Sequence, residues 1–158
     1  MDELLVVGEG PVADALVPMA ELLGWQATVA TTLPEVRTAL SRARAVIVTS
    51  HDDDVDSAAI AAALEAEVAY LGAMGSRARQ DRRRKWLLAN GVAEERLAEV
   101  HGPAGLDIGA NTPAEIALSI LAELVATLRG ADATGSISDR DGPIHPDKGP
   151  DETYHPPG

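Results

Sequence analysis

Short apolar runs rich in β-branched residues alternate with longer segments of helical periodicity over most of the chain. Strands are predicted at residues 4–7, 26–30, 45–49 and 68–71, and helices at residues 12–23, 34–41, 56–67, 77–90, 93–98 and 112–130. A strand followed by a helix and a second strand forms a right-handed crossover in a parallel sheet. The alternation therefore predicts an α/β, Rossmann-like three-layer domain, with a parallel sheet and helices on both faces.

The simplest strand order for this alternation is 3-2-1-4, with a fifth strand near Glu99. In that order strands 1 and 4 lie side by side, and the winding direction reverses between them. Ligands of such sheets bind beyond the carboxyl ends of the strands at the point of reversal. We therefore expect the ligand crevice between strands 1 and 4.

The chain length of 158 residues is typical of one domain. We assign the Rossmann-like domain to residues 1–130 and a polar tail rich in proline and glycine to residues 131–158. Apolar residues make up 46% of the chain and aromatic residues only 3%, so we expect a core of Leu, Val, Ile and Ala. Nothing sets a ligand geometry around His145 and His155 in the tail, and we expect no metal site there.

Composition excludes several classes of function. The absence of cysteine rules out disulfides, thiolate metal sites and thiol nucleophiles. The net charge of -12 repels a polyanion, and no set of aromatic residues accompanies the basic ones, which argues against nucleic-acid binding. The sequence shows neither a signal peptide nor a membrane-spanning stretch. We expect a cytoplasmic protein that binds a small ligand or another protein and does not contact a membrane.

The first predicted strand ends in a glycine turn that fits the dinucleotide-binding pattern. Gly8 turns the chain, Gly10 lets a phosphate approach, and Ala13 is the small residue that permits close helix packing. A plain tight turn is the alternative, because Pro11 removes an N–H group at the helix start and Glu9 places a negative charge beside any phosphate. We predict that the three small residues contact a cofactor.

The turn after the fourth predicted strand has the features of an anion site. Gly72, Gly75, Ser76 and Arg77 combine free N–H groups, a hydroxyl cap and a guanidinium at one helix N-terminus. The basic residues continue to Lys85, in a part of the helix where the macrodipole disfavours cations. A solvated basic face is the alternative for the later ones.

Two further segments provide candidate ligand contacts. His51 and Asp52 follow the third strand at the same edge of the sheet, although Asp52 is equally suited to cap the next helix. The segment at residues 101–110 is too rich in glycine for a regular element, and its N–H groups could form a concave anion site. Its candidate residues are His101, Gly102, Pro103, Gly105, Asp107 and Gly109.

These motifs resemble, in order and spacing, the Rossmann domain of the XdhC/CoxI family. The resemblance covers roughly residues 4–130, and its most specific parts are the sequences HGPAGLDIGA and GSR. Members of that family are accessory proteins that bind molybdenum cofactor, assist its sulfuration and deliver it to xanthine dehydrogenase or related molybdenum hydroxylases. The resemblance implies a non-catalytic maturation factor, with the hydroxylase as client and a cysteine desulfurase as a second partner.

Two departures from the family pattern concern the site. Fuller members carry a separate N-terminal region, often with cysteine, whereas this chain begins at the Rossmann domain. Glu9 and Pro11 also stand where relatives tend to have small and histidine residues. These differences weaken the assignment of the first turn more than that of the family.

Two other functions stay open on the sequence. An NAD(P)-binding oxidoreductase or regulatory domain has the same first turn, but Thr31 and Thr32 occupy the place where an NAD site carries an acidic residue. An interaction module would dock an acidic partner on the basic helix and leave the glycine loops without a ligand. The sequence identifies neither the client enzyme nor the oligomeric state, for which a homo-oligomer is one alternative.

Overall fold

The computed structural model describes residues 2–133 and 135–145. Residues 1, 134 and 146–158, which include His155 and half of the predicted tail, lie outside the described part, and the domain boundary at residue 130 stays a prediction. Within the described ranges, four strands form one parallel sheet: β1 (Glu3–Val7), β2 (Gln26–Ala30), β3 (Ala45–Val48) and β4 (Tyr70–Ala73).

Helices cover both faces of this sheet, which confirms the three-layer α/β prediction. The described helices are α1 (Pro11–Leu22), α2 (Leu33–Leu40), α3 (Asp53–Glu65), α4 (Arg77–Ala89), α5 (Glu94–Leu97) and α6 (Pro113–Arg129). Helices α1 and α6 pack together on one face, and α2, α3 and α4 pack on the other. Both cores consist mainly of Leu, Val, Ile and Ala, as the composition predicts, together with buried Trp25 and Tyr70.

The strand order is β2-β1-β3-β4, so the predicted order 3-2-1-4 is wrong. Strand β3 is entirely apolar and buried, whereas β2 contains Gln26 and Thr28 and is partly exposed. An interior strand covered by helices on both faces must be apolar throughout, and a polar strand is better placed at the edge. The winding direction therefore reverses between β1 and β3, and not between strands 1 and 4.

Strand β4 lies two residues later than predicted. Glu67 adopts a positive φ of 55° after α3, and the connection continues through Ala69 before the strand begins at Tyr70. Gly72 is consequently a buried strand residue and not part of the turn. A Cβ at Gly72 would lie 2.7 Å from the Tyr70 hydroxyl. The predicted fifth strand is reduced to a single parallel bridge between His101 and Gly72.

No helix in the described part of the chain is long and apolar enough to cross a membrane.

Candidate functional site

The carboxyl edge of the sheet brings the turn after β1 against the loop after β3. Gly8 has φ 110°, and a Cβ there would lie 2.6 Å from the Ser50 backbone nitrogen. The Ser50 N–H donates to the Val7 carbonyl at 3.0 Å, and the Gly8 N–H donates to the Ala30 carbonyl at 2.8 Å. Gly8 is therefore required for the packing of the two loops.

Gly10 leaves the N-terminus of α1 open. It is the N-cap residue, with φ 129° and no side chain to bond the first-turn N–H groups, and a Cβ there would meet no atom within 4 Å. Ala13 is 3% exposed and packs α1 against the sheet, which is the role predicted for the third small residue. The uncapped N–H groups of Val12 and Ala13 are donors that a ligand phosphate could use.

The loop after β3 lies between the two glycine turns, because β3 separates β1 from β4. Asp52 caps α3, and its Oδ1 accepts from the Asp54 N–H at 3.0 Å, which confirms the helix-cap reading of this residue. His51 is exposed, and its carbonyl accepts a hydrogen bond from Arg79 at 3.1 Å. The imidazole thus faces the solvent side of this edge.

The turn after β4 joins the same edge. The Met74 N–H donates to the Val48 carbonyl at 2.8 Å, and Gly75 follows with φ 134°. Ser76 is the N-cap of α4, and its hydroxyl accepts from the Arg79 N–H at 3.2 Å. Arg77, the first residue of α4, is exposed and makes no ion pair with any residue of the described ranges.

Most other cations of α4 are neutralised within the chain. Arg79 lies 2.8 Å from Asp53, Arg83 lies 2.8 Å from Asp56, and Arg84 pairs with Glu94 at 2.6 Å. The alternative of a solvated basic face is wrong for Arg83, whose side chain is only 3% exposed. The sequence shows an acidic and a basic helix start, but the periodicity of each helix does not reveal that they face one another.

His101 belongs to a cluster that the sequence does not reveal. Its ring stacks on Tyr70 with 4.8 Å between ring centroids, and its Nδ1 lies 3.4 Å from Glu123 Oε1. The same oxygen accepts from the Tyr70 hydroxyl at 2.8 Å and from the Gly105 N–H at 3.1 Å. Burial, followed by the hydrogen bond to Glu123 and its negative charge, raises the pKa of Tyr70.

Two of the three glycines of the 101–110 segment are explained by contacts within the chain. A Cβ at Gly102 would lie 2.6 Å from Gln80 Oε1, and one at Gly105 would lie 2.5 Å from Ser119 Oγ. The space beside Gly105 is thus occupied by α6 and is not open to a ligand. Pro103, Asp107 and Gly109 are exposed, and the position of a Cβ at Gly109 is open. These three remain candidate contacts.

A carboxylate stands at the tip of β2, where the sequence shows only threonines. Glu35 Oε1 accepts from the Thr32 hydroxyl at 2.8 Å and lies 3.4 Å from the Thr31 hydroxyl. The hydrogen bond from Thr32 is the main cause that lowers the pKa of Glu35. Sequence reasoning missed Glu35 because the acidic residue comes from the first turn of α2 and not from the strand end.

Two other kinds of site, a metal site and an enclosed cavity, are weaker candidates than the carboxyl edge. In the part of the chain that the structure describes, no group of three or more His, Asp or Glu side chains is placed to hold a metal ion. A cavity of about 220 Å³ lies beside the start of β4 and is lined in part by Leu71, Glu99 and His101. The glycine turns do not line it, so the carboxyl edge is the stronger candidate site.

The sequence profile of the XdhC Rossmann domain matches residues 4–124. The chain belongs to the XdhC family. This XdhC domain is 31% identical to the uncharacterized protein YqeB of Escherichia coli K12 over 151 residues, which covers 81% of this chain and 28% of YqeB. Its fold matches a crystal structure described as a xanthine dehydrogenase from Bacillus halodurans, with a TM-score of 0.65 and 24% identity over 86% of this chain.

The XdhC domain spans only part of these relatives, 28% of YqeB and 45% of the Bacillus halodurans chain. The matched range includes both glycine turns, the His51 loop and the 101–110 segment, and the family predicted from these motifs is confirmed.

Proposed function

We propose that this XdhC domain binds molybdenum cofactor and assists its sulfuration and insertion into a xanthine dehydrogenase-type molybdenum hydroxylase. The observation that carries the proposal is Arg77, a cation without an ion-pair partner in the described ranges, placed at the Ser76-capped start of α4. Its neighbours on the helix are largely occupied by internal carboxylates. Arg77 is thus the basic residue of this edge that is available to an anionic ligand.

The donor set suits a pterin that carries a phosphate. The uncapped N-terminus of α1 at Gly10 and the N-terminus of α4 after Gly75 both open at the carboxyl edge, and the His51 loop lies between them. Helix N-termini and a guanidinium favour phosphate oxygens, and an exposed imidazole adds a hydrogen-bonding group. We assign the phosphate to Arg77 and the N-terminus of α4, with His51 and the N-terminus of α1 as further contacts to the cofactor.

The chain itself supplies binding and not sulfur chemistry. These 158 residues contain no cysteine, so this domain has no thiol to carry the sulfur, and we propose a cysteine desulfurase as the class of sulfur donor. The cofactor supplies the molybdenum chemistry once it is in the client. The role proposed for this domain is to hold the cofactor by its phosphate while its metal end stays accessible to the sulfur donor and then to the hydroxylase.

Glu35 supports a second candidate function, the binding of NAD(P). Strand β2 lies beside β1, and Ala30 pairs with Val7, so the β2 tip adjoins the Gly8 turn. An ionised carboxylate at this position accepts hydrogen bonds from ribose hydroxyls in dinucleotide sites. It also repels a 2′-phosphate, which favours NAD over NADP. Replacing Glu35 by Gln should weaken NAD binding and leave the affinity for molybdenum cofactor unchanged.

Thermal-shift titration separates the functions. A ligand that binds only the folded protein raises the melting temperature, by an amount that grows with its concentration above Kd. We expect anaerobically prepared molybdenum cofactor to raise the melting temperature, and NAD and NADP to raise it less or not at all. A rise with NAD alone would favour the dinucleotide function. No rise with any of the three would contradict both and leave the interaction module.

A further inference from the structure

A buried ion pair lies directly beneath the carboxyl edge. Asp56 in the first turn of α3 is fully buried, Arg83 in α4 is 3% exposed, and Arg83 Nη2 donates to Asp56 Oδ2 at 2.8 Å. None of the candidate ligand contacts includes either residue. Their burial also removes both from any surface that docks a partner protein.

Fold stability alone does not account for this pair. Asp56 Oδ1 and Arg83 Nε are buried without a hydrogen-bond partner in the described part of the chain. The desolvation of two charges is then only partly offset by their attraction, and apolar residues of similar volume often stabilise such a position equally well or better. A role beyond stability would explain why a charged pair occupies the site.

Arg83 also makes a hydrogen bond to the turn after β4. Its Nη1 donates to the carbonyl of Met74, the residue that precedes Gly75 in the turn after β4. A Cβ on Gly75 would lie 3.2 Å from this same Nη1 and 2.7 Å from Arg79 Cδ, so glycine lets the arginines approach the turn. Asp56 thus orients the Arg83 guanidinium by one hydrogen bond, and the guanidinium holds the Met74 carbonyl of the turn by another.

Arg79 extends the same arrangement to the neighbouring loop. Its Nη1 donates to the His51 carbonyl at 3.1 Å and to Asp53 Oδ1 at 2.8 Å, and it lies 3.8 Å from Asp56 Oδ2. The carboxylates of α3 and the arginines of α4 thus connect the loop after β3 with the turn after β4. Both segments carry candidate contacts to the ligand.

We infer that Asp56 and Arg83 are positioning residues, which hold the 74–76 turn and the start of α4 in the geometry that binds an anionic cofactor. The inference rests on the proposed function, because it assigns the ligand to Arg77 and the α4 N-terminus. A guanidinium bonded on one side to a carboxylate and on the other to a carbonyl fixes both distance and orientation. Loss of the pair should loosen the turn without removing any ligand contact.

The test is the double variant Asp56→Leu/Arg83→Met, which replaces the pair with apolar side chains. We expect its melting temperature to stay close to that of the wild type, because the removal of two unsatisfied polar atoms offsets the loss of the hydrogen bond from Arg83 to the Met74 carbonyl. We expect amide hydrogen exchange in the 74–76 turn, measured without ligand, to rise about tenfold, and affinity for molybdenum cofactor to fall by about tenfold. The control Arg84→Met removes the exposed pair with Glu94 on the same helix and should change neither.

Each outcome decides the inference. Unchanged exchange in the folded variant, or raised exchange with unchanged affinity, overturns it. If the double variant does not fold, Arg83→Lys replaces it. A lysine keeps the charge beside Asp56 but cannot bond Asp56 and the Met74 carbonyl as a planar fork, so the same two changes are expected. If the wild type does not bind the cofactor, the proposed function is refuted, and so is the role of the pair in ligand binding. The titration of the wild type alone distinguishes this outcome from a failure that concerns only the pair.

Discussion

Gly105→Ala tests whether the 101–110 segment is built around α6. Gly105 has φ 117°, a conformation that side chains of L-residues rarely adopt, and the added Cβ would lie 2.5 Å from Ser119 Oγ and 3.3 Å from Ser119 Cβ. Backbone strain of this kind costs about 1–2 kcal/mol. Displacing the Ser119 hydroxyl breaks its 2.8 Å hydrogen bond to the Ile116 carbonyl, which costs about 1 kcal/mol more.

The free energy of unfolding should therefore fall by about 2–3 kcal/mol, which corresponds to a loss of roughly 5–10 °C in melting temperature for a domain of this size. Chemical denaturation and thermal melting on the same preparations measure both quantities. Gly24→Ala is the matched control, because φ is 92° there but a Cβ would meet nothing within 4 Å. Its cost is strain alone.

The variant Gly105→Ala/Ser119→Ala isolates the contact. Removing the Ser119 hydroxyl should recover part of the stability lost in Gly105→Ala, because the closest atom is gone and only the strain and the Cβ contact remain. A Gly105→Ala variant as stable as the Gly24→Ala control would refute the close packing against α6. The space beside Gly105 would then be open to a ligand, which is the role that the sequence predicts for this segment.

Three further perturbations have a predicted direction, two from contacts in the structure and one from the composition of the tail. Tyr70→Phe should destabilise the fold by about 1–2 kcal/mol in chemical denaturation, because Glu123 loses a hydroxyl donor. The pKa of Tyr70 is raised in the folded state, so its contribution to the free energy of unfolding is complete below pH ~10, the pKa of an unfolded tyrosine, and is lost as pH rises further. The wild type should therefore lose more stability above pH ~10 than Tyr70→Phe. Thr112→Ala removes the N-cap of α6 and should cost about 1 kcal/mol, whereas an unchanged melting curve would contradict a formed capping box. Deleting residues 136–158 should leave the melting temperature unchanged, and a large drop would show that the tail packs on the domain.

Local signals predicted the elements well, because their causes lie within a few residues. The Thr112–Glu115 capping box and the Thr32 cap of α2 are formed by residues that contact each other within one helical turn. The strand order is a long-range property, and the alternation of elements does not fix it. The contrast between buried apolar β3 and partly polar β2 contains the missing information, since an interior strand needs two apolar faces.

The residues of the candidate site likewise fall into those that the sequence predicts and those that depend on long-range contacts. Sequence reasoning placed the glycine turns and His51 at one edge, because parallel strands end together. It did not pair Asp56 with Arg83, 27 residues later, or Tyr70 with Glu123, 53 residues later, because each contact depends on how two helices or a helix and a strand meet. Glu35 was missed because its carboxylate reaches the β2 tip by folding back within α2.

Binding of molybdenum cofactor at the start of α4 is measured most directly by equilibrium titration of the wild type and of Arg77→Ala under anaerobic conditions. Arg77 is exposed and unpaired within the described ranges, so its removal should leave the melting temperature unchanged. A charge-assisted hydrogen bond contributes about 1.5–3 kcal/mol, and Kd should therefore rise about tenfold or more. Arg84→Ala, on the same helix but paired with Glu94, should bind like the wild type. Equal affinities for the wild type and Arg77→Ala, or no binding by either, would contradict the proposed site.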